Sequence, residues 1–446
     1  MTAILTATGR VLWRHWPALL AWFLGGMLVR HLLIVLAGLV GGFTATGGLL
    51  LLPLAVLARL IGFVGMFLVV RDGLRSLQAL APLPVDPRER RRDFLDALLI
   101  SVLPFFAIYT AQNELRGDVI EYTERALDVR IGQIFAQAVD TGDAESSETV
   151  LSLGLNVWTV LIIVLALAGR WAWSRWGSRL PRVLALAALY CEVVWVFFSL
   201  LLVSRLLDDA TAWVGSRAVT QWLSDLRSWA STQLVPLDWL LSAVQWLWTD
   251  GGRVLVEPLA WLLVAGVVYG QAIAAEQVRV ENRILARARS TVGRVPSAVR
   301  QRAARLTSGI QERVEPFRHA LSLIWHAGPI LIGGYIFFYA VARSLDPLLQ
   351  LGIVHVLGPH DIAFWSATSV LLALVPQVLA EPVRIALVAG AYDTMLARPR
   401  ERAVADGAAQ GSIENRTNAG AVSYGATSTQ NGPSASTGTM NGTSSS

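Results

Sequence analysis

Apolar residues in this chain come in long, nearly unbroken blocks separated by short polar connections. A helix rises about 1.5 Å per residue, so roughly 20 apolar residues cross the hydrocarbon core of a bilayer. Eight blocks approach that length: Trp16–Val40, Gly48–Val70, Phe94–Thr110, Val150–Ala168, Val183–Val203, Val254–Ile273, Leu321–Val341 and Ala363–Ala386. They predict an all-α fold, a polytopic transmembrane helical bundle of about eight spans over residues 1–393. The third block is short and contains Pro104, but Asp86, Pro87 and Glu89 ahead of it have the spacing of a helix start. One helix is therefore expected to begin before the membrane. Arg10 and Arg14 precede the first block as they would in a signal peptide. Arg30 and His31 interrupt it, however, and a second block follows the short loop Gly41–Gly47, so a retained span is the better reading.

The connections carry a different pattern. Within 111–149, Ile120, Leu127, Ile131, Ile134 and Ala138 recur at helical spacing against an acidic background, which predicts an external amphipathic helix. Within 204–253, Val219, Trp222, Leu226 and Trp229 form one stripe, as expected of an external or interfacial segment. Leu234–Trp248 reads as interfacial or re-entrant, with an extra span as the rival. Residues 276–318 hold ten arginines and four glutamates, with an apolar stripe from Val299 to Phe317, the pattern of a basic helix on the cytoplasmic membrane surface. From Gly407 onward small and polar residues dominate, so 407–446 is expected to be a disordered tail with no core to bury.

Composition and charge add a direction. With 54% hydrophobic and 15% charged residues, the chain falls well below the roughly 25% charge of soluble domains, so lipid is its expected solvent. Connection Arg71–Arg92 holds six arginines, and Gly169–Arg182 holds four with no acid. Between Ala111 and Thr149 the balance reverses to three arginines against nine acids. The positive-inside rule then places the N-terminus, both arginine-rich connections, the 276–318 segment and the tail in the cytoplasm of a multi-pass protein of the cell membrane. Trp13, Trp16, Trp171, Trp173 and Trp176 mark inner edges on that map. The net charge of +5 gathers beside apolar runs. Anionic lipid headgroups, not nucleic acid, are therefore the expected partners, with protein partners a second class. A lone cysteine, Cys191, excludes an intramolecular disulfide or a cysteine metal cluster.

Chemistry is less legible than architecture. A charge inside a span carries an insertion penalty of about 2.5–3.5 kcal/mol, so it usually faces an interior, a partner or water. Arg59 and Glu192 each count to near mid-depth and are expected to pair if the second and fifth spans adjoin. Arg30, beside His31, could meet Glu257, and Glu381 and Arg384 are spaced for a local pair around Pro382. Gly266, Gly270 and Ala274 offer a small-residue packing face. The histidines show no zinc-protease spacing, and neither His319 with His326 nor His355 with His360 and Asp361 makes a ligand set. Phosphate loops, nucleophile elbows and dinucleotide turns are all missing, so no catalytic, cofactor or metal residue is assigned. Two functions fit: a permease-like or exporter-like protein of unknown substrate, or a non-transporting envelope or membrane-assembly protein that presents amphipathic helices.

Overall fold

The computed structural model describes residues 2–84, 86–141, 157–176, 184–217, 222, 251, 254–270, 273 and 327–425. Among them every element is helical. The order is α1 (Thr2–Phe43), α2 (Ala45–Val70), α3 (Arg75–Leu80), α4 (Pro87–Ala111), α5 (Glu114–Thr141), α6 (Val157–Trp176) and α7 (Leu184–Gly215). Then follow α8 (Val254–Gly270), α9 (Pro329–Leu357) and α10 (Ile362–Gly425). Six helices, α1, α2, α4, α7, α9 and α10 as far as Ala397, are long and apolar enough to cross a membrane. The other two predicted blocks fall on shorter apolar stretches, Thr159–Trp173 within α6 and Val254–Gly270. The chain is thus an all-α protein with the helices of a membrane-embedded one. The 276–318 segment, Leu234–Trp248 and most of 204–253 lie outside the described residues.

Helix α1 turns directly into α2, with only Thr44 between them, because both helices extend into the glycine-rich stretch read as a loop. The two pack at van der Waals distance: a Cβ on Gly26 would lie 3.2 Å from the Ala58 carbonyl oxygen and 3.2 Å from Gly62 Cα. Small residues at a crossing allow this approach, which in lipid supplies much of the packing energy. At the start of α4 the Asp86 side chain accepts from the Arg88 amide at 2.9 Å with Pro87 in the first turn, the expected cap.

Helix α5 is present as expected, but it does not stand away from the bundle. It resumes from α4 through Gln112 and Asn113, the latter at φ 60°, and then runs along the last four turns of α1. Gly38 faces Arg125, Gly41 faces Tyr122 and Gly42 faces Val129, each with a hypothetical Cβ under 3 Å from the side chain opposite. The Tyr122 hydroxyl donates to the Ala45 carbonyl at 2.9 Å, closing the top of the α1–α2 hairpin. Leu115, Asp118, Tyr122 and Ala126 are the buried face, whereas Ile120 and Ile131 of the predicted stripe are exposed. Polar contacts, described below, choose the docking face over the apolar stripe.

The α6–α7 pair departs from the charge-based topology. Arg170 and Glu192 pair across it at 2.8 Å and Gly169 abuts Cys191, so the two helices are antiparallel around residues 177–183. The Tyr190 hydroxyl donates to the Leu50 carbonyl at 2.7 Å, which sets the start of α7 beside the start of α2. That end of the hairpin therefore lies with the α1–α2 turn, not with the Arg71–Arg92 connection, and Trp171 and Trp176 go with it. Arginine counting treats Arg170 as a loop cation. Here it is a helix residue neutralised by Glu192 and resting on the Trp195 ring at 5.2 Å.

Helices α8, α9 and α10 join the other end. The Tyr269 hydroxyl donates to the Phe67 carbonyl at 2.9 Å, and the Tyr335 hydroxyl to that of Pro258 at 2.8 Å. Of the small-residue face expected on α8, Gly266 is buried and Gly270 half-buried, and Ala274 lies outside the described residues. Asp393 in α10 accepts from the Leu77 amide at 3.0 Å, tying α10 to α3. One compact unit ends at Leu396, and a second is Ala397–Ser446. In the second unit the backbone is helical to Gly425, where composition predicts a disordered tail; Ala403, Ala405, Ala408 and Ala409 favour helix without needing a core. Residues 426–446 lie outside the described ones.

Two tests follow from these placements. In a Cys191→Ser background, Thr44→Cys and Ser178→Cys should react with a membrane-impermeant maleimide from the same side of the membrane, and Ala79→Cys from the other. Labelling of Ser178→Cys together with Ala79→Cys would restore the arginine-count topology. Gly48 is closed in by the Ala37 carbonyl at 2.6 Å and the Tyr122 ring at 2.7 Å, so Gly48→Ala should cost about 1–3 kcal/mol and lower the thermal unfolding midpoint in detergent. Gly132→Ala meets nothing within 4 Å and should leave that midpoint unchanged or slightly raised.

Candidate functional site

One group of ion pairs, half-buried to buried, gathers around the Gly26–Gly62 crossing. Arg59 projects from the middle of α2, where its guanidinium lies 2.8 Å from the Glu114 carboxylate and donates to the Tyr109 hydroxyl at 3.4 Å. Glu114 opens α5, immediately past the break at Gln112–Asn113. One turn on, Asp118 is fully buried and accepts from the Tyr109 hydroxyl and from Arg30 of α1, whose Nε lies 3.1 Å away. Arg30 also reaches Glu121 at 3.2 Å, and His31 stands 3.9 Å from the same carboxylate. One helical face of α5, with carboxylates at 114, 118 and 121, thus neutralises two arginines from the spans beside it.

A second cluster stands across an aromatic wall. Arg384 of α10 is buried, 2.5 Å from Glu381 on its own helix and 3.7 Å from Glu257 of α8. Glu257 also accepts from the Tyr339 hydroxyl at 3.0 Å and pairs with Arg343 at 3.4 Å. The Arg384 guanidinium lies over the Trp261 ring at 4.6 Å and that of Arg59 over the Tyr109 ring at 5.2 Å. Between them Phe63 contacts both Trp261, at 5.0 Å, and Phe105, at 5.8 Å. Cations flanking an aromatic cluster gain from the ring quadrupoles, most where water is excluded.

The expected charge residues are therefore all engaged, but not with the partners expected. Arg59 pairs with Glu114 and not with Glu192, which belongs to the α6–α7 pair with Arg170. Arg30 and His31 meet α5 carboxylates and not Glu257. Glu381 and Arg384 do form the local pair. Counting depth from block edges left α5 out of the pairing, because its acidic segment was assigned to water. Glu114, Asp118 and Glu121, at intervals of four and three, were the available signal, since α1 and α2 supply arginines but no acids at this level.

Next to Arg59 is a void of about 10 Å³ lined by Phe23, Gly26, Met27, Gly62, Phe63 and Met66, enough for one water at most. Among the described residues no three His, Cys, Asp or Glu side chains converge on a metal-sized site. No protein-family model, curated protein or solved structure matches the chain.

If these pairs act as described, Arg59→Leu should strand Glu114 and destabilise the protein by about 3 kcal/mol, near the low end for a buried pair because the Glu114 side chain is 37% exposed. Arg59→Leu with Glu114→Leu should cost less than the two singles together, by about 1–3 kcal/mol. Arg59→Leu with Glu192→Leu should be additive within about 0.5 kcal/mol in the same denaturation assay.

Proposed function

We propose that the chain is a permease-like carrier of the cell membrane, with its helices passing through the bilayer several times and the broken helix α4–α5 as its moving part. The observation that supports this reading is the position of the break. Gln112 and Asn113 interrupt the helix at the level of Arg59, and the first turn of α5 supplies the carboxylate that this arginine holds. Discontinuous helices whose broken ends carry charge at mid-depth are the usual construction of a transport pathway, because free backbone groups and charges are tolerated there only where a pathway or a partner satisfies them. On this reading Arg59–Glu114 and Arg30–Asp118 close the pathway in the present conformation.

The second reading, a membrane-assembly protein, draws on a different feature. Helices α9 and α10 expose Ile330, Phe337, Leu348, Leu351, Val370 and Leu371, side chains suited to lipid or to a protein partner.

A substrate-independent experiment separates them. Full-length protein is reconstituted in vesicles enclosing a pH-sensitive dye, and proton leak is followed after an external pH jump. Wild type should be tight, while Glu114→Ala and Arg59→Ala should raise the leak several-fold by opening the gate. Variants that stay monodisperse and tight would leave the ion pairs as packing devices and favour the assembly reading.

A further inference from the structure

A second cavity lies away from the ion-pair layer, at the end of the bundle where the Arg71–Arg92 connection sits. It measures about 480 Å³, and its walls differ in character. Towards the bundle it is carbon: Trp22 and Phe94 flank it with ring centroids 6.0 Å apart, and Leu68 and Val69 continue the surface. The Trp22 ring lies flat against Gly65, where any Cβ would fall 2.4 Å from it, so this wall is held in place by contact. Towards the end of the spans the lining turns polar, with His15, Arg71, Asp72, Arg90 and Asp93.

The pairing of the charges there leaves room for an anion. Asp72 is shared by His15, at 3.7 Å, and by Arg14, at 3.4 Å; Asp93 stands 4.0 Å from Arg71. Two lining arginines thus stand with two lining carboxylates, but Asp72 is held from outside the cavity by Arg14 and Asp93 lies nearest Arg71, which leaves Arg90 as the cation at the mouth. Arg90 donates its Nε to the Pro84 carbonyl at 2.7 Å, which fixes the guanidinium plane at the mouth while leaving the two terminal nitrogens as the fork that suits a phosphate.

A purely polar solute would leave the Trp22–Phe94 wall wet, and a purely apolar one would strand the arginines. An amphiphile satisfies both halves, and the polar end lies where the apolar spans α1, α2 and α4 give way to charge, at headgroup depth. We propose that this cavity binds an anionic phospholipid, its phosphate against Arg90 and its acyl chain against Trp22 and Phe94. Basic pockets between spans are where such headgroups are held, in contrast to the looser attraction of a charged surface. The assignment stands whether or not the protein transports.

The test uses delipidated full-length protein in detergent and native mass spectrometry, with phosphatidylglycerol, phosphatidylcholine or glycerol 3-phosphate added. The expected result is one retained phosphatidylglycerol, with phosphatidylcholine bound at least tenfold more weakly and glycerol 3-phosphate not competing. Arg90→Ala should weaken phosphatidylglycerol at least tenfold, and Arg88→Ala, on the same exposed turn but outside the cavity, should not. Neither arginine is buried, so both variants should fold, with unchanged unfolding midpoints. Equal losses from the two variants would reduce the site to diffuse surface charge. Equal affinity for the two lipids would remove the anionic preference, and effective competition by glycerol 3-phosphate would convert the site into one for a soluble phosphate; either result overturns the proposal.

Discussion

An arginine held midway along an apolar helix has to meet a carboxylate, and the arrangement of this bundle follows from that need. Arg30 and Arg59 lie on the first two helices, which offer no acid at their level, so the compensating charge must come from elsewhere in the chain. Helix α5 brings it, and to do so must continue past α4 along the second half of α1. The break at Gln112–Asn113 then reads as an adjustment of direction: it turns the face bearing Glu114, Asp118 and Glu121 onto the arginines while α4 keeps its own aromatic contacts. Arg384 solves the same problem with a neighbour on its own helix and a second acid from α8.

Close backbone approach makes these pairs attainable. Gly26 and Gly62 draw α1 and α2 together, and Gly38, Gly41, Gly42 and Gly48 leave the groove that Tyr122 and its neighbours fill. Side chains at those positions would push α5 outward by ångströms, more than an ion pair at 2.8 Å can absorb. The glycines and the charges therefore form one device: the first set fixes the distance, the second supplies the attraction.

The sequence shows where the helices are far better than how they meet. Block length alone located the helices, since twenty apolar residues in a row have few other uses, and the Asp86–Pro87 start was legible from local chemistry. Partner choice was not legible, because it depends on rotation about each helix axis. For α5 the apolar period selected Ile120, Leu127, Ile131, Ile134 and Ala138, of which Leu127 packs against the core and Ile120 and Ile131 are exposed, while the fully buried positions include Asp118 and Tyr122. In a bilayer an exposed isoleucine is no penalty, so the pattern that reports burial in water loses its meaning. Arginine counting has a related blind spot at α6–α7: it weighs charge without knowing that Arg170 is already neutralised by Glu192.

The separation of the partners along the chain has a consequence for how the protein is made. Arg30 precedes Asp118 by 88 residues and Arg59 precedes Glu114 by 55. At about 5–20 residues per second, the ribosome leaves Arg30 without its acid for roughly 4–18 s after it is synthesised. During that interval the first two helices cannot hold their final positions in lipid at low free energy. A wet or protein-lined compartment that held the nascent hairpin until α5 emerged would spare it that penalty, and would make final integration of the N-terminal half a late event.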